Sequence, residues 1–125
     1  MKIEVHKEDA RGNVFRLLEP LETSDFVIPS GFESDGASVP RVLWRLIFPP
    51  IDPVALPAAV VHDYIYRHQP EGWTRSRADA LFRRLLIDDG VARWRAWLAW
   101  LGVRIGGSWA WERSKFEKAL GSMWR

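Results

Sequence analysis

The chain has no cysteine among its 125 residues. Disulfides and thiolate metal sites are therefore excluded, and the composition fits synthesis in a reducing cytoplasm. No apolar run approaches the roughly 18 residues that a membrane span needs. The opening Met1-Lys2-Ile3-Glu4-Val5-His6 has no apolar signal segment. Charge of one sign is also scarce. Eighteen basic residues oppose 16 acidic ones, for a net charge of +2. A pI near 9.3 is then a weak argument for nucleic acid, and nothing in the basic C-terminus selects that partner. Histidines number three, fewer than zinc or iron phosphohydrolase centres usually use. A Gly-x-Ser-x-Gly nucleophile elbow and a phosphate loop are both absent. What the chain does have is 47% hydrophobic residues and eight tryptophans. That is enough for a real core in one domain spanning 1–125.

Two regions follow one another. Residues 1–40 read as short strands and turns, and residues 41–125 as helices. Ile3–His6 and Val14–Leu18 are candidate strands, joined by a turn at Arg11-Gly12-Asn13. Phe26-Val27-Ile28 is a third, closed by Pro29-Ser30-Gly31. Val42–Phe48 predicts a short helix stopped by Pro49-Pro50. A second helix runs from about Pro57 to Arg67, with the proline suited to a first turn. A third starts near Thr74 or Ser76, both good N-caps. It keeps Ala78, Leu81, Phe82, Leu85 and Leu86 at helical spacing and stops at Asp88-Asp89-Gly90. A fourth covers about 91–105, is broken by Gly106-Gly107, and a fifth follows over about 108–120. The expected fold is α+β, mainly α, with a small N-terminal antiparallel sheet ahead of a helical core.

Three acids and one histidine stand out against this frame. His62 and Asp63 lie inside the apolar run 58–66, and Asp79 lies inside the next apolar helix face. Asp35 occupies the turn Ser34-Asp35-Gly36-Ala37-Ser38. Burying ionisable groups costs several kcal/mol unless they are partnered, so groups that can converge suggest a site. His62 and Tyr66 are four apart and share a helix face. Asp63 is about 100° away and points into the next groove. The short connection 68–73 favours an antiparallel helix pair. Asp79 could then bond the far nitrogen of His62, fixing its tautomer and raising its basicity. Asp63 and Asp35, with backbone carbonyls of the Asp35–Ser38 turn, offer the oxygen ligands that calcium prefers. Each group also has a structural reading. His62-Asp63 can be a buried pair beside Tyr66, Asp79 a first-turn acid, and Asp35-Gly36 a plain turn. His6 and His68 show no partner and read as surface residues.

The C-terminal third is rich in tryptophan. Trp94, Trp97, Leu98, Trp100 and Leu101 form an apolar stripe, with Arg93, Arg95 and Arg104 beside it. Trp109, Trp111, Phe116 and Trp124 follow. Mixed arginine and tryptophan suit a phospholipid membrane surface. The same rings could instead close the core over the preceding helices, or meet a protein partner.

Asp35-Gly36-Ala37-Ser38, His62-Asp63-x-x-Tyr66-Arg67 and Ala78-Asp79-x-x-Phe82 resemble the calcium loop, catalytic helix and second helix of the phospholipase A2 superfamily, in its small bacterial type. That resemblance implies a helical core with His62 as the base that activates water against an ester. It implies Asp79 and Tyr66 as the pair that orients the histidine, and Asp35, Gly36 and Asp63 as holders of Ca2+. The resemblance covers about residues 35 to 86. The disulfides of most secreted members and the glycine-rich calcium loop of the animal enzymes have no counterpart here. A second resemblance spans most of the chain. Phe26-x-x-Pro29-x-Gly31-Phe32-x-x-Asp35-Gly36-Ala37-Ser38-Val39-Pro40-Arg41, Ala59-x-x-His62-Asp63-x-x-Tyr66 and Arg77-Ala78-Asp79 are similar to a phage and prophage family, the domain of unknown function numbered 1353. It implies a phage or prophage origin and no established activity. Two leading classes of function follow. One is a calcium-dependent ester hydrolase. The other is a non-catalytic virion or assembly component that binds phage or host proteins. A small host-directed inhibitor made early in infection is a third.

Overall fold

A computed structural model describes residues 3–8, 12–23, 27–34 and 56–123. The chain divides into two compact units, Met1–Gly36 and Ala37–Arg125. It is an α+β protein, mainly helical, with its strands in the first unit.

In the first unit, β1 (Ile3–Glu8) and β2 (Gly12–Leu17) pair antiparallel, with Ile3 opposite Leu17 and Val5 opposite Phe15. The pairing runs on to Glu8 opposite Gly12. Gly12, expected in the turn, is therefore already in the ladder, which satisfies further backbone groups. Among the described residues, three two-residue strands follow: β3 (Leu21–Glu22), β4 (Val27–Ile28) and β5 (Glu33–Ser34). β5 pairs with β2, and β3 pairs with β4. Arg16 sits opposite Glu33 in that register, and its guanidinium reaches the carboxylate at 2.8 Å. Opposed charges on facing strand positions stabilise such a pair. β3 and β5 were not foreseen, because two residues are too few to show a period. The helix expected at Val42–Phe48 lies outside the described residues.

The second unit holds α1 (Leu56–His68), α2 (Arg75–Asp88), α3 (Arg93–Gly106) and α4 (Ser108–Met123). Their ends follow local chemistry. Pro57 lies in the first turn of α1, and Arg67 and His68 lie in its last turn, where cations suit the helix dipole. Thr74 caps α2 by accepting from the Arg77 N–H at 3.1 Å. At its other end the Gly90 N–H donates to Ile87 and the Val91 N–H to Leu86. Gly90 has φ +101°. These are the paired bonds of a Schellman motif, and Val91, just past it, is buried in the core.

α1 packs on α2, and α2 on α3. The core joins Ala58 and Ala59 of α1, Phe82 and Leu86 of α2, and Ala96, Ala99 and Val103 of α3. The His62 ring meets that of Phe82, while Tyr66, one turn later, meets Asp79. That reversal of order marks α1 and α2 as antiparallel. The core face of α3 is thus small residues. Its large ones, Trp94, Trp97, Leu98 and Ile105, are exposed. The alternative in which the tryptophan stripe closes the core does not hold for Trp94 and Trp97.

Candidate functional site

The second unit buries a polar cluster at the centre of the α1–α2 pair. The His62, Asp63 and Asp79 residues are all at most 2% exposed. Asp79 Oδ1 lies 2.7 Å from His62 Nε2 and accepts from the Tyr66 hydroxyl at 2.6 Å. Its other oxygen accepts from Arg104 Nη1 at 3.0 Å, and Arg75 Nη1 stands 3.7 Å away. His62 and Tyr66 reach one oxygen because they are one turn apart on α1. Their rings lie 4.2 Å apart by centroid, with Phe82 4.8 Å from the imidazole on another side.

The charge states follow from this arrangement. Burial by itself would raise the Asp79 pKa. The hydrogen bonds from His62 and Tyr66, the charge of His62 and the bond from Arg104 outweigh it and hold the carboxyl below its usual range. Asp79 is therefore an ionised acceptor. Burial, then the bond to Asp79 and its charge, push the Tyr66 hydroxyl well above its ordinary range. Tyr66 is therefore a neutral donor. An ionised carboxylate only accepts, so Nε2–H of the imidazole must donate. In the tautomer that carries a single proton, that proton is therefore on Nε2 and the lone pair is on Nδ1.

The rest of the unit holds this cluster in place. Arg75 donates to the carbonyls of Val103 and Arg104 at 3.1 and 3.0 Å. It thus caps the C-terminus of the helix that supplies Arg104. Gly107 joins α3 to α4. A Cβ there would stand 2.7 Å from the Tyr66 hydroxyl and collide with the Val103 carbonyl. Gln69, just past α1, has φ +43°. Its amide donates to the Trp111 carbonyl at 2.9 Å and the Tyr66 carbonyl at 3.3 Å. The Trp111 ring meets Tyr66 edge-on at 5.2 Å. His68 is not a bare surface residue. Its ring meets that of Tyr64 at 4.6 Å, tilted by 42°, and burial, followed by the charges of Arg67 and Lys118, lowers its pKa.

The expected cation ligands are only partly within view. The Oδ2 of Asp63 lies 3.6 Å from Arg67 Nε. Asp35 and Gly36 lie outside the described residues. Among the described residues, no group of three His, Cys, Asp or Glu side chains could hold a metal. A buried carboxylate is the donor type that calcium takes, so Asp63 fits in kind, while the set of ligands depends on Asp35 and Gly36. No helix among the described residues is long and apolar enough to cross a membrane.

Sequence reasoning missed Arg75, Arg104 and Gly107. Arg75 was findable, since it stands four residues before Asp79 on the same helix. Arg104 read as a flank of the tryptophan stripe, yet its long stem carries the guanidinium inward. Gly107 read only as a helix break.

Fold and cluster together define a small α+β, mainly helical protein with a buried histidine–aspartate–tyrosine centre backed by two arginines. The chain belongs to the family described as Protein of unknown function (DUF1353), whose model matches residues 15–103. It is also 30% identical over 86 residues to the "Uncharacterized protein y4jT" of Sinorhizobium fredii (strain NBRC 101917 / NGR234), a match covering 68% of this chain. The match covers 25% of that relative's own length, so this chain corresponds to about a quarter of it. No solved structure matches.

Proposed function

We propose that this protein is a phospholipase A2-like ester hydrolase in which Asp79, Tyr66 and His62 form the general-base assembly. The observation that carries the reading is the 2.7 Å contact between Asp79 and His62 Nε2. It leaves the basic lone pair on Nδ1. His62 would take a proton from water at Nδ1 as the water oxygen attacks the ester carbonyl. The acyl carbon–oxygen bond then breaks, and the same proton passes to the leaving alkoxide. Asp79 holds the imidazole in the required tautomer and stabilises the imidazolium, and Tyr66 holds Asp79. The resemblance assigns calcium to Asp35, Gly36 and Asp63, and the ion would supply positive charge that stabilises the oxyanion. A phage or prophage setting is part of the proposal, with the protein made inside an infected or lysogenic bacterium.

The test is fatty-acid release from phospholipid vesicles by the purified protein, with calcium and with chelator, beside His62→Ala. Calcium-dependent release that His62→Ala abolishes, in a variant with unchanged circular dichroism, supports the reading. No release over a range of lipids, with no calcium-induced rise in Tm, overturns it.

The complete burial of the His62 side chain favours a second reading. There the cluster locks the helices of a non-catalytic virion or assembly protein. Loss of folding rather than of activity in His62→Ala, with the protein present in purified virions, would select it.

A further inference from the structure

The hydrolase reading does not use the exposed face of α3. Trp94, Trp97, Leu98, Leu101 and Ile105 follow one another at steps of three, one, three and four residues, so they form one stripe along the helix. At about 1.5 Å per residue the stripe is about 16 Å long. Trp94 is 67% exposed, Trp97 45% and Ile105 74%, and Leu101 is half-buried. The opposite side of the helix is filled by Ala96, Ala99 and Val103, all 0% exposed. A helix that buries its small residues and presents its large apolar ones to solvent has a second contact to make.

Charge narrows what that contact is. α3 carries Arg93, Arg95 and Arg104 and no acid. Residues 93–125 hold seven lysines and arginines against two glutamates, while the whole chain is close to balance at 18 against 16. The rest of the chain is therefore net acidic, and the basic excess is confined to the tryptophan-rich third. A second copy of the chain seated on this stripe would bring two basic helices together. Arg104 is engaged with Asp79, while Arg93 is exposed beside Trp94 at one end of the stripe. Tryptophan and leucine between arginines, on a helix too short to span a bilayer, is the pattern of a helix lying in the headgroup region.

We infer that α3 docks the protein on the surface of an anionic phospholipid bilayer through the Trp94–Ile105 stripe. Exposed Arg93 meets lipid phosphates, and the tryptophans and Ile105 enter the headgroup–acyl boundary. Docking depends on surface residues alone, so it stands or falls separately from hydrolysis.

The test is sedimentation of the full chain with vesicles of ether-linked phospholipid, which have no ester to cleave. One set is ether-linked phosphatidylcholine, and the other also contains ether-linked phosphatidylglycerol. The wild-type protein should sediment with the anionic set, and raised salt should weaken it. Binding should be at least about tenfold weaker to phosphatidylcholine alone, or for the Trp94→Ser, Ile105→Ser double variant, a difference of about 1.4 kcal/mol. Both substituted sites are exposed, so the double variant should keep the wild-type Tm and circular dichroism. Three results would overturn the inference. One is failure of the folded protein to sediment with anionic vesicles, and another is equal binding by the double variant. The third is a dimer, seen by light scattering, that the double variant dissolves; it would show a second copy on the stripe instead.

Discussion

Asp79 is the residue on which the helical unit converges. It is 0% exposed and takes hydrogen bonds from His62, Tyr66 and Arg104. Asp79→Ala would leave two buried donors, His62 and Tyr66, and the half-buried Arg104 guanidinium around a void. Removing one partner of a buried charge cluster typically costs about 3–5 kcal/mol, and denaturant unfolding should show a loss of that size. The pH dependence has a definite sign. The folded-state pKa of Asp79 lies below its unfolded value, which is about 3.9 for a free aspartate. Its contribution is therefore present above the unfolded value and is lost as pH falls through the folded one. The stability gap between wild type and Asp79→Asn should narrow below about pH 4. A gap that stays constant through that window would refute the assignment of Asp79 as ionised. At this scale the sequence was informative where spacing is short. His62 and Tyr66 declare a shared face by standing four apart. Arg104 does not, because it comes from a third helix and reaches the carboxylate only through a long, rotatable stem.

Elements end where their capping residues stand. Pro57, Thr74, Gly90 and the pair Gly106-Gly107 were readable because each changes what the backbone can do locally. The two-residue strands β3 and β5 offer no such signal, since their pairing is decided by the partner strand, whereas β4 was readable from Phe26-Val27-Ile28 and the stop at Pro29-Ser30-Gly31. Gly107 shows what a readable break can conceal. The sequence marks the end of α3 there. The structure adds that the glycine lets the Tyr66 hydroxyl approach to where a side chain would stand. Gly107→Ala should therefore destabilise the protein by about 1–3 kcal/mol, the usual cost of overpacking. It should also disturb Tyr66 and its bond to Asp79. Thermal unfolding checks the first effect. The second would appear as a changed environment for the Tyr66 and Trp111 rings in near-ultraviolet circular dichroism. An Ala variant with unchanged Tm and spectrum would mean that α4 can shift aside freely.

At the scale of the helical unit, burial is distributed unevenly. The orientation of α3 could not be read from the sequence, because Ala96, Ala99 and Val103 repeat at the same helical period as Trp94, Leu98 and Ile105. Either stripe satisfies an amphipathic pattern. Small residues won the inward side, where Ala58 and Ala59 of α1 also pack. α4 differs again. Its first turns meet the rest of the unit through Trp111, and Lys118 donates to the carbonyls of His68 and Gln69 at 3.0 and 3.2 Å. Residues 115–121 are all exposed. Local opening is easiest where few apolar contacts are broken, so amide hydrogen exchange should be graded along the unit. Amides of α2 and of α3 from Ala96 to Val103 should exchange slowest, near the global unfolding rate. Amides of α4 beyond Lys118 should exchange fastest among the helices. The Asp79→Ala variant should speed exchange in α1, α2 and α3 together, because His62, Tyr66 and Arg104 bring one donor from α1, another from the same helix and a third from α3 to one carboxylate. Acceleration confined to α2 would show that Asp79 braces its own helix alone and does not couple the three.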